Sequence, residues 1–488
     1  MFLYTIQLLV TANKKSVSER IPMKRKTDFL YMKLAGIIRE QIHSGVLKPG
    51  DFLLSENELA LRYGLSRISV RKSLNTLVDE GLVLKKPGLG SVVAAHLPRE
   101  ERRRKTLRIV TTSPSNYADY ALGMTIEAFE KEHPHTDVKV LQLSAVDFWK
   151  SVHTLQETGP YPDILLVTDR QFRELERKEE YMDLDERIEH TKRMFYPKLL
   201  GGFEGTSGLQ ALPVTFSPVF IAYNPALLGR LGIPLPDPHQ YGNGNETFAP
   251  LLGLSEDRNG DGIPDLYALS LSHTYNRWPV IALQNGVDFN RLTEHADALR
   301  TTLNLLHDML YRKRTAILYT RNKNSRNIEP FATENAAMML TTAMELAALK
   351  EESLPFEPQA APIRFGPERA TLLVANAIMV PVACPEPELA AAFCKIAVRS
   401  DIQDRIGRTS GFLSVLRGIN ESVWDKAHLQ AIRLGDARLD RCLFVHEAFP
   451  DSAFISEMDY ELGLFWAGLE TADAAAERLL RIRSREGE

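Results

Sequence analysis

The sequence predicts an α/β chain in two parts: a small winged helix-turn-helix at the N terminus, then a longer region of alternating strands and helices. Three observations carry this expectation. Between Tyr31 and Ala94 two capped helices, an apolar stripe and a Gly-rich ribbon follow one another at close spacing. From Leu107 onward short β-rich runs alternate with helical runs, the pattern of a parallel sheet. Residues 1–105 hold twenty basic against ten acidic side chains, although the whole chain has a net charge of −4, so a basic head precedes an acidic body.

Residues 1–28 are expected to be disordered or non-native. Met1 to Val10 is apolar but lacks a basic leader and a clean cleavage site, and Met23, just before Lys24-Arg25-Lys26, looks the better start. Residues 29–95 should form the first domain. Leu34, Ile37, Ile38 and Ile42 share one face of an opening helix, which ends in the turn Ser44-Gly45-Val46-Leu47-Lys48-Pro49-Gly50-Asp51. Ser55 and Glu58 make a capping box for a short helix that stops at Gly64. Ser66 caps a second helix, whose Val70, Leu74, Leu77 and Val78 must face inward. Arg67 and Arg71 lie one turn apart on another face, near Ser69 and Asn75. Guanidiniums placed early in such a helix reach guanine edges and phosphates in the DNA major groove. The ribbon Lys85-Lys86-Pro87-Gly88-Leu89-Gly90-Ser91-Val92 can bring its tip close to a sugar-phosphate backbone.

This segment resembles the DNA-binding domain of the GntR family of bacterial transcription regulators. The resemblance implies double-stranded operator DNA as partner. It implies contacts from Ser55, Glu56, Ser66, Arg67, Ser69, Arg71 and Lys72, with Gly88 and Gly90 shaping the wing. The sequence departs from the family pattern at Asn57, where arginine is usual, at Leu54, a common proline, and at Leu89, a basic wing position.

The charged run Pro98 to Lys105 serves as connector, with residues 96–106 as linker and 107–488 as the second domain. Strands are expected at Leu107–Thr112, Val138–Leu143 and Asp163–Val167, and helices at about 118–132 and 148–156. Such βαβαβ sheets bind ligands beyond the carboxyl ends of their strands, here Ser113 to Tyr117 and Thr168 to Arg170.

Further motifs are Gly208 to Val214, Tyr223-Asn224-Pro225-Ala226-Leu227-Leu228, Leu231 to Pro234, Phe331 to Leu340 and Leu389 to Phe393. With the closing pattern Leu462 to Leu480, they resemble extracellular solute-binding proteins of sugar ABC transporters. That resemblance implies a two-lobed α/β fold of the periplasmic-binding-protein type (type II) that closes on a solute. Tyr241 to Phe248, rich in Asn and Gly, replaces a Trp-containing helix start, and no lipoprotein cysteine or export signal precedes the region. A cytoplasmic sensor is therefore expected rather than a transport receptor. Sugars are held by aromatic faces and planar polar groups. The candidates by position are Asn116, Tyr117, Asp169, Tyr223, Tyr275, Asn276, Trp278 and Thr342. Any one of the aromatics could instead serve packing, and Asp169 could be a helix cap.

Asp257, Asn259, Asp261 and Asp265 stand at alternating positions around a Gly turn, a spacing that could wrap calcium. The twelfth position is Ala268 rather than a bidentate Glu, and a plain Asx turn explains the stretch equally well. No metal or cofactor is otherwise expected. Cys384, Cys394 and Cys442 have no metal-ligand spacing and read as buried thiols of a reducing compartment. No stretch approaches the about 20 apolar residues a membrane helix needs. HExxH, Gly-x-Ser-x-Gly and GxxxxGK[ST] motifs are absent, so no enzyme is expected. The sequence reads as a homodimeric transcription regulator whose operator binding follows a small molecule, a mono- or oligosaccharide. The alternatives are a transport receptor with a fused basic domain and a carbohydrate-active enzyme.

Overall fold

The computed structural model describes residues 34–39, 41–42, 47–63, 65–86, 90–94, 104–158, 161–205, 207–236, 253–319, 329–351, 354–435 and 439–484. The expectations for residues 1–28, Gly64, Gly88 and Tyr241 to Phe248, and for most of the linker, lie outside these. The chain divides between Arg103 and Arg104 into two compact units.

In the first unit the local signals do what their chemistry requires. The Ser55 N–H donates to Glu58 Oε2 at 2.8 Å and the Glu58 N–H to Ser55 Oγ at 3.3 Å, so the capping box opens the helix Glu56–Tyr63. Ser66 Oγ accepts the Ser69 N–H and starts the helix Arg67–Asp79. Val70, Leu74 and Leu77 join Leu34, Ile38, Ile42 and Leu59 in one small core, closed by Val83 and Val93 of the ribbon. The ribbon pairs Val83–Lys86 antiparallel with Gly90–Val93, in the register Lys86 to Gly90. A bidentate pair from Arg39 to Glu80 ties the opening helix to the end of the second.

The second unit holds two six-stranded sheets, each with its own core. In the first sheet, Lys105–Ser113 runs parallel to both Thr136–Ser144 and Ile164–Thr168. Thr371–Met379 pairs antiparallel with Ile164–Thr168 and with Leu212–Pro218. In the second sheet Leu266–Leu271 lies parallel to Ala336–Thr341 and Ala316–Leu318, while Phe220–Tyr223 pairs antiparallel with Ala336–Thr341. Ile164 to Val167 is fully buried, which accounts for its unbroken apolar run. The expected helix over 118–132 is two helices, Asn116–Tyr120 and Leu122–Glu132, broken at Ala121 (φ −125°). On one continuous helix Tyr117 and Leu122 would face different sides; the break turns both into the core.

The chain passes from one core to the other at Pro218–Phe220, Leu372–Leu373 and Phe444–Val445. Two of these crossings are stitched together: the Val219 N–H donates to Leu372 O at 2.8 Å, and the Thr371 hydroxyl to Val219 O at 2.7 Å. Buried Gln284 anchors the loop that leads into Thr371, accepting the Phe365 N–H and donating to Ile363 O and Ala370 O. Gly366 sits so tightly there that a Cβ would lie 2.1 Å from the Gln284 carbonyl oxygen. Gly366→Ala is expected to destabilise the second lobe by about 1–3 kcal/mol, because backbone rather than a pliant side chain must move. A lower urea midpoint would show this; an unchanged midpoint would contradict the close packing.

Candidate DNA-reading face and interlobe site

On the first unit Arg67, Ile68, Arg71 and Lys72 are exposed along one side of the helix Arg67–Asp79. Arg71 is not loose. Its Nε and Nη2 donate to the Glu56 carboxylate at 2.8–3.1 Å, and this pairing holds Glu56 below the usual carboxylate range. Lys85 of the ribbon donates to Asn75 Oδ1 at 2.5 Å, tying wing to helix. Gly90 has φ +105°, a conformation open to glycine but strained for other residues. Ser66 is exposed, whereas Ser69 is buried and shares its hydroxyl with Ser66 Oγ at 2.9 Å. The expected phosphate contact from Ser69 is thereby corrected: its side chain is buried against Ser66, which takes the exposed position. Sequence reasoning also passed over Ile68, an apolar side chain 82% exposed on the reading face. Such a group suits a thymine methyl.

On the second unit the strand ends bring together groups from both lobes. Asp169 begins the helix Asp169–Glu174 and is buried; Oδ1 accepts the Ala375 N–H at 3.1 Å, and Oδ2 has no partner among the described residues. Burial pushes its carboxyl up to about 7, against the pull of nearby backbone N–H groups and Arg170. Arg170 reaches the opposite lobe: its guanidinium lies 4.8 Å from the centre of the Tyr275 ring while its Nε donates to Glu174. Asp459, on the helix Ser452–Glu461 of the second lobe, is pushed up to about 6 by burial and is close enough to Arg170 to be drawn down by it.

Behind Tyr275, Arg277 is buried and donates to Glu345 at 2.9 Å and Thr342 Oγ1 at 3.3 Å. Thr341 donates to the same carboxylate. This network fixes the Tyr275-Asn276 turn, where Asn276 accepts from the Thr274 hydroxyl. Of the sequence candidates, Asp169, Tyr275, Asn276 and Thr342 therefore belong to this site or its support, and Asn116 stands half-buried at the end of a neighbouring strand. Tyr117 and Trp278 are corrected. Both are fully buried, Tyr117 edge-on to Phe412 and Trp278 packed against Phe289 and Trp466. Tyr223 is also placed elsewhere, donating to Gln359 at 2.6 Å in a separate cavity. Arg170, Arg277, Glu345 and Asp459 were missed, although Arg170 adjoins Asp169 at the strand end where ligands are expected.

The Asp257–Asp265 turn spends its oxygens on itself. Asp257 accepts the N–H groups of Gly260 and Gly262, Asn259 that of Asp261, Asp261 that of Ile263, and Asp265 that of Arg258. Among the described residues no three His, Cys, Asp or Glu side chains converge as a metal site, and no helix is long and apolar enough to cross a membrane. The three cysteines are buried and form no disulfide with one another.

The family model for the bacterial extracellular solute-binding protein matches residues 125–431, and that for bacterial regulatory proteins, gntR family, matches residues 30–93. An arabinose metabolism transcriptional repressor of Geobacillus stearothermophilus is 40% identical over 95 residues, 20% of this chain and 26% of the repressor. The mannosyl-D-glycerate transport/metabolism system repressor of Escherichia coli (strain K12) is 42% identical over 112 residues, 23% of this chain and 40% of that protein. The chain thus spans well under half the length of these curated relatives. An ABC substrate-binding protein from Listeria monocytogenes, solved with cycloalternan, covers 78% of this chain and 99% of its own, with TM-score 0.62 and 18% identity. The GacH receptor of Streptomyces glaucescens, solved unliganded and with acarbose, covers 78% and 98%, with TM-score 0.63 and 15% identity. At such identity the likeness is one of fold: a two-lobed solute-binding protein follows the winged helix-turn-helix.

Proposed function

Because the chain belongs to the bacterial extracellular solute-binding protein family over most of its length and carries a gntR-type module ahead of that region, we propose that it is a transcription regulator whose operator binding is set by a carbohydrate. The observation that carries this reading is the pairing, on one chain, of an exposed arginine face with an interlobe site. In that site Arg170 lies over Tyr275, near the buried Asp169 and the exposed Asp459. A tyrosine face offers a surface for sugar C–H groups, and a guanidinium and carboxylates offer planar partners for hydroxyls. The saccharides named for the solved relatives, and the sugars named for the curated repressors, support a mono- or oligosaccharide. The role is binding rather than catalysis, in the cytoplasm and as a homodimer.

Arg170 and Tyr275 sit on different lobes, so a solute between them favours one lobe arrangement over the other. It changes operator affinity only by the difference in its own affinity for the two. The test is a thermal-shift screen against neutral sugars, repeated with a duplex selected from random sequence by the protein. A sugar that raises the melting temperature should also shift duplex affinity at least fivefold. A stabilising sugar that leaves duplex affinity unchanged refutes the coupling. Duplex binding that does not weaken as salt rises refutes the regulator itself and favours a transport receptor.

A further inference from the structure

A cavity of about 520 Å³ shares no lining residue with the Arg170–Tyr275 bridge. One wall is second-sheet backbone, from the strands Phe220–Tyr223 and Gln359–Ala361; the facing wall runs from Ser410 to His428, beyond the helix Ser400–Ser410 of the first core. The helix Ala343–Glu351 closes the side.

The wall chemistry is specific. The Trp424 and His428 rings stack at 4.4 Å and 15°, and Phe220 meets His428 edge-on at 6.5 Å. Burial pushes the His428 imidazole down to about 4, so the stack is uncharged near neutral pH. The indole N–H of Trp424 is buried without a hydrogen-bond partner among the described residues. Gln359 accepts from Tyr223 through its oxygen, which leaves its amide N–H groups as donors toward the cavity. Lys350 and Glu357 neutralise each other at the wall.

We propose that this cavity is a second small-molecule site, for a flat heterocycle that is not anionic and carries a carbonyl acceptor. An anionic ligand would find no unpaired counter-charge among the described lining residues, because Lys350 is paired with Glu357 and Asp425 is itself a carboxylate. A planar ring would be met by the aromatic stack, and its acceptor by a donor such as the Gln359 amide. Because the walls come from both lobes, an occupant braces one lobe arrangement, giving the chain an input separate from the interlobe site.

The test uses the full chain and a panel of caffeine, thymine, 2-quinolone and lumichrome, with maltose as control, read by saturation-transfer NMR and calorimetry. At least one heterocycle should bind saturably, and maltose should not compete. Ala427→Phe and, from the facing helix, Ala347→Met fill the cavity and should each weaken binding tenfold or more while circular dichroism stays native. If one filler fails to fold, the other decides. No binding by any panel member overturns the proposal, as does binding that survives a folded filler. None of these readouts involves DNA, so this site can fail while the regulator reading stands, and the reverse.

Discussion

Replacing Arg71 by alanine should weaken binding to a selected duplex by about 1–3 kcal/mol, roughly five- to 150-fold. The loss has two sources. A guanidinium that reaches a guanine edge or a phosphate is removed, and Glu56, which that guanidinium neutralises at 2.8 Å, is left as a free carboxylate beside the DNA. Arg67 and Lys85 also lie near Glu56, so part of its charge stays compensated. The double variant Glu56→Ala, Arg71→Ala should therefore recover part of the affinity without restoring sequence preference. Titrations at several salt concentrations separate the roles. If Arg71 grips a phosphate, its removal weakens all sequences alike and lowers the salt slope by about one; if it reads a base, its removal relaxes preference at one position. Unchanged affinity in Arg71→Ala would remove the helix Arg67–Asp79 as the reading element.

The first unit was legible because its signals are short-range. Ser55 and Glu58 are three residues apart, and Val70, Leu74 and Leu77 repeat at helical spacing, so each interaction lies within a turn or two of chain. The strand end at Asp169 was legible for a similar reason: the apolar run before it marks a buried parallel strand, and the strand fixes where a ligand can approach. What could not be read was which side of an element a residue faces once distant elements pack on it. Tyr117 and Trp278 occupy plausible positions, yet their large apolar rings are drawn into the cores. Tyr275 stayed at the interlobe site because the buried Arg277–Glu345 pair holds its turn, and no local pattern announces that pair. Asp459 becomes part of the site only through a helix from the far end of the chain, and the Trp424–His428 cavity likewise needs three distant segments.

Asp169→Asn should stabilise the protein at alkaline pH and make little difference in acid. The sign follows from burial. In the unfolded chain the carboxyl titrates near 3.8, and in the fold it is pushed up to about 7. Between those values the folded state holds a proton that the unfolded state has released, so stability falls as pH rises from about 4 to about 7. Above 7 the full penalty remains, on the order of a few kcal/mol. Asparagine keeps an oxygen for the Ala375 N–H and replaces the unpartnered, ionisable Oδ2 with a neutral amide. Glu329, pushed up to about 7, and Asp459, pushed up to about 6, contribute the same trend, so the variant flattens the wild-type profile only in part. Urea unfolding at pH 5 and pH 8 reads the outcome: the gap between variant and wild type should widen at the higher pH. The same substitution separates support from recognition. If Oδ2 accepts a solute hydroxyl when the lobes close, Asp169→Asn should weaken sugar binding while raising stability. A variant that is more stable and binds sugar as tightly would leave Asp169 a buried acceptor for the Ala375 N–H, and recognition to Arg170 and Tyr275.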